Sequence, residues 1–110
     1  MKIQRHPIIQ IDAERKRMST PYIISYDLHT PGQKYEDLKN VIDNFGGSYI
    51  KILESTWLVR NDLTPNDMAD RIKEVVDTND YLFITKISSP YQGLLTEKQW
   101  EFIKNSIYAD

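Results

Sequence analysis

The order of apolar patterns along the chain limits its fold more than any other feature. Segments with strand-like alternation and segments with helical spacing follow one another from residue 22 to residue 87, with short polar connections between them. The predicted strands are 22–28, 48–53, 56–60 and 81–87, and the predicted helices are 35–45 and 64–76. The order β-α-β-β-α-β predicts an α+β fold.

This order is that of the ferredoxin-like fold, a four-stranded antiparallel sheet with two helices on one face. Both crossover connections are expected to be right-handed, which brings both helices to the same side and leaves the other face open. Successive side chains of a strand point to opposite faces. The alternation in the first strand therefore places Asp27 on the open face.

The last part of the chain carries a third helix signal outside this order. Thr96 and Gln99 have the spacing of a capping box, and the pattern that follows predicts an added C-terminal helix at 96–108. Its apolar stripe, which contains Trp100 and Ile103, must be buried. The helix either closes over the open face or packs on a second chain, and we expect a homodimer.

Charge is distributed unevenly along the 110 residues. Residues 1–17 hold five basic and two acidic side chains, a local charge of +3, and the net charge of −2 leaves −5 for the remainder. Met18 begins a Met-Ser-Thr-Pro stretch typical of a translation start, so we predict a basic extension at 1–17 and one domain at 18–110. An acidic domain disfavours a nucleic-acid partner, because such binding depends on cations that neutralise phosphates.

Composition narrows the function classes further. The chain has no cysteine, which excludes disulfides and zinc–thiolate sites. No apolar run approaches the roughly 20 residues that a membrane span needs, and the apolar patch near the N-terminus is too short for the core of a signal peptide. We expect a cytoplasmic protein with no membrane partner.

Three stretches of the pattern carry a resemblance to a known family. They are YIISYDL in the first strand, ESTWLV in the hairpin and YLFITKI in the last strand. In these stretches the chain resembles the CRISPR-associated endoribonuclease family, the small non-integrase subunit of spacer acquisition. It is also similar to the SinR-like proteins and the virulence-associated protein D ribonucleases. The resemblance extends over residues 22–87, and SYD and STW are its most telling motifs.

The resemblance implies a homodimer whose sheets meet and a divalent metal, Mg or Mn, near the two-fold axis. Asp27 matches the aspartate that binds this metal at the end of the first strand, and Ser55 matches a serine of the family hairpin. The family follows its aspartate with an arginine-containing segment. This chain reads HTPGQKYEDL there, with Lys34 as the one permanent cation, which counts against avid phosphate binding.

Asp27 has two interpretations from the residues alone. It is a metal ligand and catalytic residue if two copies approach at a dimer axis, because a cation between them would relieve their repulsion and activate a water. Alternatively, it accepts hydrogen bonds from the backbone amides of residues 29–32 and braces the turn. His29, two residues later, is a candidate base or second ligand, and otherwise an ordinary solvated loop residue.

Other polar and aromatic residues carry weaker signals. Residues 30–34 could cradle a phosphate through backbone amides and Lys34, but they lack the repeated glycines of a phosphate-binding loop. Ser25 and Ser55 have no recognisable base nearby in the sequence. Trp57 and Tyr49 could stack on bases, yet we expect them to fill a core or a dimer contact. No organic cofactor site is indicated.

Three function classes remain. We favour a ferredoxin-like homodimeric module of the CRISPR-associated endoribonuclease-like superfamily that is non-catalytic or weakly active and offers a surface to a protein partner. The first alternative is a metal-dependent endonuclease acting on RNA or DNA through Asp27 of both protomers. The second is a regulatory dimer that binds a small ligand. The fold alone does not choose among them.

Overall fold

The computed structural model describes residues 19–29 and 31–108, with residues 31–33 described by backbone alone. The predicted extension at 1–17 lies outside the described residues, so its boundary stays a prediction. None of the helices in the described part is long and apolar enough to cross a membrane. The elements are β1 (Thr20–Asp27), α1 (Pro31–Asp43), β2 (Ser48–Leu53), β3 (Thr56–Asn61), α2 (Pro65–Lys73), β4 (Tyr81–Lys86) and α3 (Glu97–Phe102), followed by a π-helical turn, Ile103–Ile107.

The four strands form one sheet in the order β2-β3-β1-β4, and every neighbouring pair is antiparallel. The helices α1 and α2 follow β1 and β3 as crossover connections and pack on one face of the sheet. This is the ferredoxin-like fold, and the sequence prediction of an α+β fold with an added C-terminal helix is confirmed. The strands β1 and β3 are central, and β2 and β4 are the two edge strands of the sheet.

The main core lies between the sheet and the helices α1 and α2. Its buried residues are Tyr22, Ile24, Tyr26, Leu38, Ile42, Phe45, Trp57, Val59, Met68 and Ile72. The indole N–H of Trp57 donates to the hydroxyl of Tyr26 over 3.0 Å, so burial leaves neither polar group without a partner. Tyr49 packs on Trp57 with its ring centroid 6.2 Å away. The core interpretation of Trp57 is confirmed, since its ring is not available for stacking on bases.

A second core lies on the opposite face of the sheet. There the C-terminal helix buries Ile103 and Ile107 against Leu58 of β3, and Trp100 and Ile23 are partly buried beside them. Of the two places considered for this helix, the open face of its own sheet is the one the structure shows. Its apolar stripe is consequently satisfied within one chain, and any homodimer must use another surface.

Polar contacts fix the C-terminal helix on the sheet. The guanidinium of Arg60, on β3, donates to the backbone carbonyl of Ile107 over 2.9 Å and to the hydroxyl of Ser19 over 2.9 Å. The side-chain amide of Gln99 donates to the carbonyl of Ile52 over 3.1 Å. The predicted capping box of Thr96 and Gln99 is present and begins this helix.

The start of α1 differs from the prediction. Residues 31 and 32 were expected to turn the chain ahead of a helix at 35–45, but α1 already begins at Pro31. Proline fits the first helical turn because the amide it lacks would have no partner there. After α1, Gly46 and Gly47 both have positive φ angles, a conformation that suits the end of a helix. A Cβ at Gly47 would collide with the carbonyl of Arg60.

We expect Ile107→Ala to destabilise the protein by about 2–5 kcal/mol, since it leaves a cavity beneath the C-terminal helix. Urea unfolding followed by circular dichroism measures the change. Asn105→Ala, an exposed position on the same turn, is the matched control and should cost far less. Equal losses in the two variants would show that the second core contributes little to stability.

Candidate functional site

The C-terminal helix covers only part of its face of the sheet. In the antiparallel pairing of β1 with β4, Asp27 lies opposite Tyr81, Ser25 opposite Phe83, and Ile23 opposite Thr85. Directly opposed residues share a face, and Ile23 belongs to the second core. The remaining five residues of these pairs form a surface that we call the bare patch: Ser25, Asp27, Tyr81, Phe83 and Thr85.

The aromatic side chains of the bare patch are unusually accessible. Tyr81 is 70% exposed and Phe83 is 67% exposed. Both lie on β4, an edge strand whose single charged residue, Lys86, stands at its end. Natural edge strands are usually protected by charge, by proline or by a covering element, and an apolar one favours pairing with another chain. The bare patch therefore has the chemistry of an interaction surface.

Asp27 lies at the margin of the bare patch, on the face opposite α1 and α2, as the alternation predicted. Its side chain is exposed, and within the described residues no hydrogen bond or ion pair engages its carboxylate. Asp27 does not brace the turn through the amide of His29, because this amide donates to the carboxylate of Asp80 over 2.6 Å. With respect to the described residues, the exposed Asp27 carboxylate is available to a ligand or a partner.

The described residues of one chain do not supply a metal site around Asp27. No group of three or more His, Asp or Glu side chains in the described part of the chain is placed to hold a metal ion. Magnesium takes about six oxygen ligands, and a single carboxylate would leave nearly all of them to water. His29 is exposed in the loop beyond β1. The assignments of Asp27 as a metal ligand and catalytic residue, and of His29 as a base, stay predictions that require a second chain.

The hairpin of β2 and β3 lies beside the end of β1. The backbone amide of Tyr26 donates to the carbonyl of Ser55 over 3.1 Å, so Ser55 is held against the end of β1, next to Asp27. Ser25 is half-buried in the bare patch. Among the described residues neither serine forms a hydrogen bond with a histidine or a carboxylate that could activate it.

A polar cluster that the sequence did not predict lies beside this end of the sheet. The carboxylate of Asp80, with 1% of its side chain exposed, accepts from the Lys34 ammonium over 2.8 Å and from the Asp77 amide over 2.8 Å. Lys34 also pairs with the carboxylate of Asp77 at 2.5 Å. Together with the His29 amide, these contacts join the loop after β1, the helix α1 and the loop before β4.

The hydrogen bonds of this cluster stabilise the ionised form of Asp80. The amide of His29, then the Lys34 ammonium and the amide of Asp77, lower the pKa of Asp80 to about 2. The same pairing, with Asp77 as the larger cause and Asp80 as the second, raises the pKa of Lys34. Both groups are consequently charged over the whole physiological range.

The cluster changes the interpretation of the turn before α1. Lys34 was the cation of the hypothetical phosphate cradle, but its ammonium is bound by two carboxylates and its side chain is only 14% exposed. The cradle is therefore not supported, and Thr30 lies outside the described residues. The sequence signal for this cluster was the pairing register of β1 with β4. Tyr81 lies opposite Asp27 at the end of β1, so residue 80, directly before Tyr81, lies beside the loop that follows β1.

Comparisons with known proteins bear on the fold alone. The chain matches no protein-family model, and a search of curated proteins found no match. Among solved structures, it is similar to the hypothetical protein TT1823 from Thermus thermophilus, with a TM-score of 0.54 and 18% identity over 71% of this chain and 95% of that one. At this identity, the similarity supports the arrangement of the helices and strands.

We expect Asp80→Asn to weaken the protein near neutral pH and to change its acid unfolding. A depressed pKa contributes stability that is present above about pH 4 and lost as the pH falls toward about 2, where Asp80 becomes protonated. The neutral variant lacks this contribution, so its unfolding midpoint should depend less on pH between these values. Urea midpoints measured from pH 2 to pH 7 test this, with the exposed Asp70→Asn as the control. Identical pH profiles for wild type and Asp80→Asn would contradict the role of the cluster.

Proposed function

We propose that this chain functions as a homodimeric, non-catalytic interaction module whose two copies associate through the bare patch. The observation that carries this proposal is the exposure of Tyr81 and Phe83, at 70% and 67%, on an edge strand with almost no charge. Exposed apolar surface of this kind, beside an unpaired strand edge, is typical of association sites.

The chemistry of the bare patch favours a second copy as the partner. Two-fold symmetric dimers are the commonest oligomers, and they require a surface that is complementary to itself. Aromatic rings and hydroxyl groups meet this requirement because neither repels its own copy. The one charged member, Asp27, lies at the margin, where β1 ends. An antiparallel edge such as β4 can also pair with itself about a two-fold axis.

The same features favour a binding role over a catalytic one. Lys34, the cation nearest in sequence to Asp27 on its C-terminal side among the described residues, is engaged by Asp77 and Asp80. The predicted domain carries a net charge of −5 by sequence. Both features oppose binding of a phosphodiester near the bare patch.

Replacing Phe83 with serine should weaken the dimer by at least about tenfold, since it removes an aromatic anchor from the interface. Sedimentation equilibrium at several concentrations measures the dissociation constant. Leu94→Ser is the matched control, because Leu94 is 98% exposed in the loop before α3 and is not a member of the bare patch. A monomeric wild type at tens of micromolar would overturn the proposal, and equal weakening in both variants would relocate the interface.

A second candidate function is that of a metal-dependent endonuclease with Asp27 contributed by both protomers. The specific observation in its favour is that the Asp27 side chain is exposed and that the His29 amide donates to Asp80 and not to Asp27. Two such carboxylates brought together at a dimer axis repel each other unless a cation lies between them. Mg or Mn held there would supply a Lewis acid for phosphodiester hydrolysis.

This candidate predicts a cleavage of RNA or DNA that requires magnesium or manganese and depends on Asp27. Asp27→Asn should reduce it by more than about tenfold, because even the outer-shell partners of a metal site contribute 10–100-fold. Glu54→Gln, an exposed acid in the neighbouring hairpin, should leave the rate unchanged. Cleavage that survives in Asp27→Asn would exclude this site, and an inactive wild type would support the non-catalytic module.

A further inference from the structure

A cleft of about 290 Å³ lies between the second core and the segment that follows β4. Its floor is aliphatic and comes mainly from the sheet side, with Ile23, Leu58 and Ile87. Its wall is aromatic and comes from the C-terminal part, with Tyr91, Trp100 and Tyr108. Tyr81 and Phe83 are not among its lining residues, so the cleft is separate from the bare patch.

The three aromatic rings of the wall are held together in nearly parallel planes. Tyr91 stacks on Tyr108 with centroids 4.3 Å apart and planes 16° apart, and it lies 6.2 Å from Trp100 with planes 18° apart. These separations leave no room for another ring between them. A ligand would lie against the wall, which is already ordered before binding and therefore costs little entropy on association.

The position of Tyr108 is set by an unusual turn. Its amide donates to the carbonyl of Ile103 over 2.9 Å, a bond across five residues that closes the π-helical turn. Such turns are rare, and they occur frequently at functional sites. The turn ends directly at the aromatic wall.

The lining of the cleft disfavours charged ligands. Among the described residues that line the cleft, none carries a charged side chain, so an ion inside would lose water without gaining a partner from them. Burial, reinforced by the neighbouring Tyr91, raises the pKa of the Tyr108 phenol, which stays neutral at physiological pH. Besides the hydroxyls of the two tyrosines and the indole N–H of Trp100, polar groups come from Ser88 and Gln92, both exposed. The side-chain oxygen of Gln92 accepts from the amide of Gly93, which leaves the amino group of this side chain as a donor.

We propose that this cleft binds a small, neutral, flat aromatic molecule of one or two rings that carries a hydrogen-bond acceptor on its edge. The volume equals that of roughly ten water molecules in the liquid, close to the lower end of the range for small-molecule sites. Water in an apolar cleft of this kind is poorly hydrogen-bonded, and its displacement by an aromatic ring favours binding. The site is complete within one chain and does not depend on the proposed dimer.

The two tryptophans provide a direct test in the full-length chain. Coumarin, a neutral two-ring carbonyl compound, is titrated while the indole N–H signals are followed by ¹H–¹⁵N NMR. We expect the Trp100 signal to shift with saturation and the Trp57 signal to stay in place, because the Trp57 N–H is bonded to Tyr26 in the main core. The anionic coumarin-3-carboxylate should bind at least about tenfold more weakly.

Two variants decide whether any shift comes from the cleft. Ser88→Trp adds a large ring at the exposed rim and Tyr91→Leu removes a ring from the wall; each should weaken coumarin binding by at least about tenfold. Leu94→Ser, exposed and not a lining residue, should bind like the wild type. An unmoved Trp100 signal at millimolar coumarin, equal shifts at both tryptophans, or unchanged affinity in the folded Ser88→Trp variant would each overturn the proposal.

Discussion

The two-residue period of β1 is the constraint on which the rest of the structure depends. This strand lies between β3 and β4, and both of its faces are used. One set of alternate residues enters the main core with α1 and α2, and the other set runs from the second core into the bare patch. A shift of one residue in its pairing would exchange the two sets and bury Asp27 among apolar side chains. The separation of the two cores and the exposure of the candidate site are therefore consequences of the same register.

The fold was predictable from sequence because its signals are local. Alternation in the strands, helical spacing between them and the capping box at Thr96 each act within a few residues, and the structure contains all of them. The location of the C-terminal helix was not predictable in the same way. Its stripe required burial, but only the tertiary arrangement determines whether its own sheet or another chain provides the partner. The helix start at Pro31 was missed because proline also suits a turn.

The candidate site was predicted in position but not in its surroundings. Asp27 lies on the expected face, whereas the buried carboxylate of Asp80 was missed, since its ion pair with Lys34 joins residues 46 positions apart. Periodicity contains no information about such a pair. The pairing also neutralises the cation on which a phosphate site would rely. What stays accessible on this face is largely uncharged: aromatic rings in the bare patch and an apolar cleft beneath the C-terminal helix.

Arg60 connects the second core to the cleft without lining it. Its bond to the carbonyl of Ile107 ties the end of the C-terminal helix to β3, one residue before Tyr108 of the aromatic wall. A substitution at residue 60 would remove this tie between β3 and the residue before the aromatic wall, while leaving the lining residues of the cleft unchanged.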